Sequence, residues 1–489
     1  MDSALWANVW WLLGVVLTLA ISITALIVIP RHRKPTAAMA WLLLILLLPF
    51  AGILIFLLIG SVKLPAKRRA EQARIDQMIR SAAPVTAPTD ADTWPPHFRS
   101  IVHQNQQLAS LPAVDGNRLE LIEDYQGSID AMAAAIDTAQ EFVHVEFYIV
   151  GWDDTTRGFF SAMERAVARG VTVRLLADFI ATRKIPGSDK MLAELDRIGV
   201  TWAWMLPVQP LKGKYQRPDL RNHRKLVVVD GRIGFMGSQN LISRDYDSEK
   251  NKKRGLMWQE LVTRVEGPAV AEINVVFLSD WLIETGDDLL HEHLPAASVP
   301  RHAGPEAQVA QLVPSGPGYE TENNLRLFLS LIHAATSKVI ITSPYFVPDE
   351  AMMYAITTAC QRGLDVQLFV SELGDQGMVY HAQRSYYEPL LRAGVRIFLY
   401  PAPYILHAKH FSIDDDIAVI GSSNMDIRSF SLNAEMSLMV RGAAFTAAMR
   451  EVEKHYRDAG RELTLEEWRR QPVRDTFLDG VARLTSALN

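Results

Sequence analysis

Residues 223–240 read HRKLVVVDGRIGFMGSQN, and the way this stretch pleats decides the fold. Strand side chains alternate, so His223 and Lys225 leave one face while Leu226 and Val228 leave the other, towards a core. Asp230-Gly231 is a hairpin-type turn signal, and Arg232 to Met236 reads as the returning strand. Gly237-Ser238 then lets the backbone come close to whatever the histidine faces, and Asn240 adds an amide donor. A lone His-X-Lys is most often a strand with a polar face.

The chain writes the pattern twice. Residues 407–424 read HAKHFSIDDDIAVIGSSN, and His407, Lys409, Asp414, Gly421, Ser422 and Asn424 repeat every spacing. Chance does not place six chemically loaded positions in register.

Outward from each copy the chain echoes itself again. Before the first lie an apparent helix (129–139), an apolar strand FVHVEFYIV, a helix (158–169), a strand VTVRLLADF and a segment RIGVTWAWM. Before the second come LFLSLIHAA, KVIITSPYFV, AMMYAITTACQRG, LDVQLFVSE and LLRAGVRIFLYP in the same order. Strands alternating with helices predict an α/β layered domain with helices covering a largely parallel sheet. Glu146 and Tyr148 share one face of their strand, towards the site; Ser343 and Tyr345 are their counterparts.

The pattern His-X-Lys-X4-Asp-X6-Gly-Ser-X-Asn, present twice, resembles the phospholipase D superfamily. RNHRKLVVVDG, GSSNMDIRSFSLNAEMSL and the N-terminal RKPTAAMAWLLLILLLPFAG are similar to its bacterial cardiolipin synthase branch. The resemblance implies a duplicated phospholipase D-type domain, two pseudo-twofold-related α/β/α halves that bring both motifs to one site, behind an N-terminal two-helix membrane anchor. The expected division is an anchoring helical hairpin (1–62), a basic and Pro-rich linker (63–115), a first half (116–290), a connector (291–318) and a second half (319–489). Tyr386 and Tyr387 resemble substrate-side residues of the branch.

Composition narrows the partners. A formal net charge of −5 over 489 residues gives no general pull towards nucleic acid. The single cysteine, Cys360, excludes internal disulfides and cysteine-cluster metal sites. Leu5 to Ile29 and Ala37 to Gly60 carry no charged residue, and each exceeds the roughly 20 residues a helix needs to cross a bilayer. If both cross, the basic clusters Arg31, Arg33, Lys34 and Lys63, Lys67, Arg68, Arg69, Arg74 fall on opposite sides, which the positive-inside rule cannot satisfy. Alternatively the second run, with Pro49 and Gly52 at its middle, dips in and returns to the same face. Crossing by both with the larger second cluster inside, or the dipping form, puts the remaining chain in the cytoplasm, and the resemblance implies a bacterial inner membrane. The stretch QPLKGKYQRPDLRN before His223, with Lys212, Lys214, Arg217 and Arg221, reads either as a solvated loop or as a basic rim for lipid headgroups.

These residue types suit an attack on a phosphodiester. Lys225, Lys409, Asn240 and Asn424 can surround its oxygens, with Ser238 and Ser422 as further donors. Opposite charges about 4 Å apart are worth roughly 4 kcal/mol at an effective dielectric of 20, and preorganised donors matter most as charge builds in the transition state. One imidazole can form a phosphohistidine while the other moves protons for the leaving and incoming alcohols. Glu435, eleven residues beyond Asn424, and Glu260, twenty beyond Asn240, suit carboxylates that orient the imidazoles. Asp230 and Asp414 belong to the motif either as proton-transfer groups or as turn scaffolds. The scheme needs no metal and no cofactor.

Symmetry leaves the nucleophile open; the resemblance favours His223, with His407 as acid and base. The resemblance also implies phosphatidylglycerol as donor and acceptor, giving cardiolipin and glycerol. Residue chemistry alone supports phosphatidyl transfer. A phospholipase D hydrolase, a transferase to another alcohol and an inactive lipid-binding membrane protein are the alternatives. The sequence does not give the oligomeric state.

Overall fold

The computed structural model describes the chain except residues 1–2, 34, 61–63, 83–87, 89–90, 210, 212–215, 291–299 and 486–489. Its centre is an antiparallel seam between strands Val114–Ile122 and Gln308–Ser315. From the first seam strand the sheet continues through Val262–Glu266, Ile233–Gly237, Lys225–Val229, Phe142–Phe147, Thr172–Asp178 and Thr201–Met205. From the second it runs through Asn433–Arg441, Ile417–Gly421, His410–Ile413, Lys338–Thr342, Asp365–Ser371 and Arg396–Tyr400, with Arg461–Leu463 at the rim. The two series carry the same elements in the same order. That is a duplication joined edge to edge.

The sheet is not largely parallel. Parallel pairing along it is confined to the three outer strands of each half that helical crossovers connect. The motif hairpin, its return strand and the seam are antiparallel. A two-strand hairpin can only pair that way, so the motif itself dictates the mixture.

Burial follows the pleat. Val227 and Val229 pack with helices Tyr125–Asp137, Arg157–Ala168 and Ser188–Ile198 on one face of the first half. Leu226 and Val228 face the opposite layer, where helices Ala269–Thr285 and Ala443–Ala459 join one core shared by both halves. In the second half, Phe411 and Ile413 pack against Asn323–Ala334 and Glu350–Gln361. Asp349 starts the latter helix by accepting from Met352 N–H at 2.9 Å.

The stretches expected as linker and connector carry ordered elements, the first of them a basic helix. Residues 63–115 hold packed helices: Ala66–Ala82 buries Ile75 in the shared core, and Pro96–Ala109 buries Phe98 and Ile101 in the second-half core. Residues 291–318 hold the second seam strand. The basic run after residue 63 reads as a short helix in the sequence as well; Pro96–Ala109 is the one whose polar exposed face passes for linker.

Of the forms open for the anchor, the second run takes the one that turns back at Pro49. Ser3–Val28 is one helix of 26 residues, about 39 Å long at 1.5 Å per residue, enough for a hydrocarbon core of about 30 Å. The second apolar run is broken. Leu48 leaves helical geometry (φ −133°, ψ 72°) and Pro49 starts a new helix, giving Pro35–Leu47 and Pro49–Ile59. These fold back on one another: a Cβ on Gly52 would lie 2.8 Å from Ile45 Cα, and Trp41 meets Phe56 edge-on at 5.3 Å. Arg33 ties the ends together, donating to Gly60 O and covering the Phe56 ring at 4.6 Å. With 13 and 11 residues, each limb spans about 20 Å or less, so neither crosses a bilayer alone.

Candidate active site

Each histidine enters the site from a short strand that runs parallel to the strand leading to a glutamate of the other half. Arg221-Asn222 pairs with Asn433-Ala434, and the register Asn222 to Ala434 sets His223 beside Glu435. Tyr404–Leu406 pairs with Met257–Gln259, and Leu406 to Gln259 sets His407 beside Glu260. His223 N–H donates to Ala434 O at 2.8 Å and His407 N–H to Gln259 O at 2.7 Å. The carboxylates are therefore crossed between the halves, which the spacing of Glu435 and Glu260 within each copy does not reveal.

His223 Nδ1 lies 3.0 Å from both Glu435 oxygens. His407 Nδ1 lies 2.8 and 3.0 Å from those of Glu260. An Nδ1–H held by a carboxylate leaves Nε2 as the reactive ring nitrogen. Both rings line one cavity of about 760 Å³, together with Asn240, Asn424, Tyr148 and Tyr345.

Ser238 and Ser422 are not arranged as substrate donors. Ser238 Oγ donates to Glu260 Oε2 at 2.5 Å and accepts from Leu261 N–H at 3.0 Å. Ser422 Oγ donates to Glu435 Oε2 at 2.5 Å and accepts from Met436 N–H at 3.0 Å. The motif glycines explain how. A Cβ at Gly237 would lie 2.3 Å from Leu261 O and one at Gly421 2.2 Å from Met436 O, so glycine alone lets each serine reach the strand behind its carboxylate.

The lysines are buried beneath the cavity. Lys225 Nζ donates to His223 O and Lys409 Nζ to His407 O, while Lys225 Nζ sits 5.3 Å over the Tyr148 ring. Asn240 holds Tyr246 OH at 2.9 Å through Nδ2 and accepts from Ile149 N–H. Asn424 Oδ1 is buried and has no hydrogen-bond partner among the described residues.

Of the two readings open for Asp230 and Asp414, the hydrogen bonds fit the turn scaffold. Both sit in the hairpin turns at positive φ (50° and 46°), at the far end of the strands from the histidines. Asp230 accepts from the N–H groups of Gln140, Glu141 and Phe142. Asp414 accepts from those of Thr336, Ser337 and Lys338. Each clamps the start of the neighbouring strand.

Other expectations divide. Tyr148 and Tyr345 line the cavity and meet His223 and His407 edge-on at 5.0 and 6.4 Å. Glu146 is buried behind the site, accepting from Asn222 Nδ2 at 3.0 Å. Tyr386 and Tyr387 belong to the second-half core, and Arg221 is buried against Asp178 at 3.3 Å, so none of these three forms a substrate rim. Lys212 and Lys214 lie outside the described residues. Tyr246, Trp258, Asp375 and Arg428 also line the cavity and were not singled out from the sequence; Tyr246 sits in the insertion that separates Asn240 from Glu260.

Burial dominates the electrostatics. It pushes His223 down to about 4 against the pull of Glu435, and lowers His407 against Glu260. It lowers Lys225 to about 7 and Lys409 to about 8. For Glu260 and Glu435 burial acts upwards, but the facing histidine and lysine charges and the serine donors outweigh it and keep both ionised.

Paired, carboxylate-held imidazoles with a lysine beneath each, on one cavity of a duplicated α/β fold, define a phosphodiester-transfer site of the phospholipase D type. The model described as "Cardiolipin synthase, PLD-like domain" matches residues 132–281 and 328–457, and "Phospholipase_D-nuclease N-terminal" matches 20–61. Cardiolipin synthase A of Yersinia pseudotuberculosis is 30% identical over 96% of this chain and 95% of its own length. Cardiolipin synthase A of Proteus mirabilis is 29% identical over 94% of each. The fold is also that of phosphatidylserine synthase from Haemophilus influenzae, with TM-score 0.59 and 15% identity over 79% of this chain and 97% of that one. The chain belongs to the cardiolipin synthase family of phospholipase D-like proteins.

Proposed function

We propose that the protein is a cardiolipin synthase that transfers a phosphatidyl group from one phosphatidylglycerol to another and releases glycerol. The crossed His–Glu pairs on one cavity carry this reading. His223 Nε2 attacks phosphorus as the bond to the glycerol oxygen breaks, and His407 gives that oxygen its proton. The terminal hydroxyl of a second phosphatidylglycerol then loses a proton to His407 as its oxygen attacks, and His223 is released. Lys225 and Lys409 balance the charge on the phosphoryl oxygens. Burial suits His223 to the nucleophile's part, because its ring stays neutral. His407 takes up its proton when the anionic phosphodiester enters, since a nearby negative charge favours imidazolium.

The anchor supports a cytoplasmic catalytic part at a bacterial inner membrane. With one crossing helix and a re-entrant hairpin, Arg31 and Arg33 lie on the same side as Lys67, Arg68, Arg69 and Arg74, and the positive-inside rule is met without conflict.

Purified protein in phosphatidylglycerol liposomes tests the reaction. Cardiolipin and glycerol are expected in equal amounts, and His223→Ala and His407→Ala are each expected to lower the rate by on the order of 10⁵. Phosphatidic acid in place of cardiolipin would make water the acceptor and replace this reading with a hydrolase.

A further inference from the structure

Outside the anchor, the exposed large apolar side chains among the described residues are Trp152, Leu211, Tyr354, Met378, Val473, Phe477, Val481 and Leu484. Half of them lie on one helix, Val473–Thr485. At 3.6 residues per turn the four fall within a stripe about 80° wide, with Phe477 68% and Leu484 73% exposed. The opposite side of the helix is fixed. Asp479 is buried, 2.6 Å from His381 Nδ1 and 3.3 Å from Arg384 Nε, and Ala482 joins the second-half core.

His381 and Arg384 belong to helix Gly377–Arg384, which also carries Met378, a residue that both lines the active-site cavity and is 59% exposed. The apolar stripe is thus joined, through one intervening helix, to the cavity mouth. Arg428 also lines the cavity and donates to Asp219 O at 3.1 Å, and Asp219 pairs with Arg217. Arg217 is close enough to feel the charge of Arg33 in the anchor. The anchor and the stripe are thus each linked to the cavity lining through a short run of interactions. Arg474, exposed on the same helix, falls beside Val481 at the edge of the stripe at 3.6 residues per turn, as basic residues border the apolar face of an interfacial helix.

We propose that Val473–Thr485 is a second membrane contact, an interfacial helix that seats its Val473, Phe477, Val481 and Leu484 face in the headgroup–acyl boundary and holds the cavity mouth against the bilayer. The lipid substrate then reaches the histidines without leaving the membrane surface. The proposal rests on membrane anchoring and not on the identity of the reaction.

The test uses the full chain in phosphatidylglycerol-containing vesicles, with an environment-sensitive label on Phe477→Cys or, on the neighbouring side of the helix, Thr476→Cys. Burial raises the native Cys360 thiol to about 11, so it competes poorly for the label. Acyl-brominated lipid is expected to quench the label at 477 strongly and that at 476 weakly. Equal access of aqueous iodide to both labels, with no lipid quenching, would overturn the proposal. So would disulfide cross-linking of Phe477→Cys to itself, which would make a second copy the occupant. As a second measurement, Phe477→Asp/Val481→Asp is expected to lose turnover several-fold on vesicles and keep it in detergent–lipid micelles; equal loss in both would count against it.

Discussion

The two motif hairpins share every spacing, yet their surroundings differ. His223 is flanked by Asn222 and Arg224, and both neighbours are built into a buried polar frame. Asn222 bonds Asp178 through its N–H and Glu146 through its amide. Arg224 pairs with Asp280 and donates to Glu435 O at 3.2 Å. His407 is flanked instead by Leu406 and Ala408, both in the apolar core. Here a serine hydroxyl takes the place of that frame, Leu406 N–H donating to Ser371 Oγ at 2.7 Å. The two copies keep the same histidine, lysine, serine and asparagine groups, and their supports differ. A symmetric pair of imidazoles thereby gains the asymmetry that two different chemical roles need.

The crossed carboxylates offer the most forceful way to break this comparison. Glu435→Gln lies in the second half but should disable the first-half histidine, and Glu260→Gln the reverse. Each is expected to lower kcat on the order of 10³–10⁴, as loss of an orienting carboxylate does elsewhere. The two should differ in the step they stop. With a donor whose leaving group needs no proton, Glu260→Gln should still accumulate phosphoenzyme, and Glu435→Gln should not. Accumulation in the opposite variant would exchange the roles of the two histidines.

A pH profile sharpens the comparison with a smaller effect. In the free enzyme His407 must be charged to act as acid, and burial has lowered it, so kcat/KM should begin to decline with rising pH below the ordinary imidazole value. It should steepen between about 7 and 8 as Lys225 and Lys409 lose their protons. On the acid side it should fall only near 4, where His223 charges. The kcat profile, which reports the complex, should have its alkaline limb displaced upwards by the bound phosphodiester anion. Lys225→Ala should leave the lysine limb near 8 and Lys409→Ala the one near 7. A kcat/KM profile flat to pH 9 would show that the lysines are not depressed by burial.

Much of this was legible in residues 223–240 and 407–424 because strand alternation and turn chemistry are local. The hairpins, the turn glycine at 231 and the duplication follow from them directly. What was not legible depends on pairing between distant segments. No spacing inside one copy announces that Asn222 runs beside Ala434, so the exchange of Glu435 and Glu260 between halves was hidden. Ser238 and Ser422 looked like substrate donors for the same reason: their partners arrive from a strand more than 10 residues away. The seam strand Gln308–Ser315 follows a Pro- and His-rich stretch that masks it; the return at Pro49 and Gly52 was one of the forms read from the sequence, and the contact between Gly52 and Ile45 selects it.

The aspartates give the mildest test, and one in which the two halves should agree. If Asp230 and Asp414 only clamp strand starts, replacing either by Ala leaves three backbone N–H groups without their acceptor. The expected cost is about 1–3 kcal/mol of stability, read as a lowered midpoint of denaturation, with turnover per folded molecule within about twofold of wild type, since surface and turn changes away from the site leave the chemistry alone. The carboxylate of Asp414 is held down to about 2, because bonds from Lys338, Ser337 and Thr336 outweigh the upward push of its partial burial. Its folded value lies below the unfolded one, so its contribution is complete above the ordinary carboxylate range and is lost as pH falls through that range towards 2. Wild type and Asp414→Ala should therefore converge in stability at acid pH and separate above it. A variant that kept its stability and lost its turnover would return the aspartates to proton transfer, and the two hairpins would then share one more chemical group than their geometry gives them.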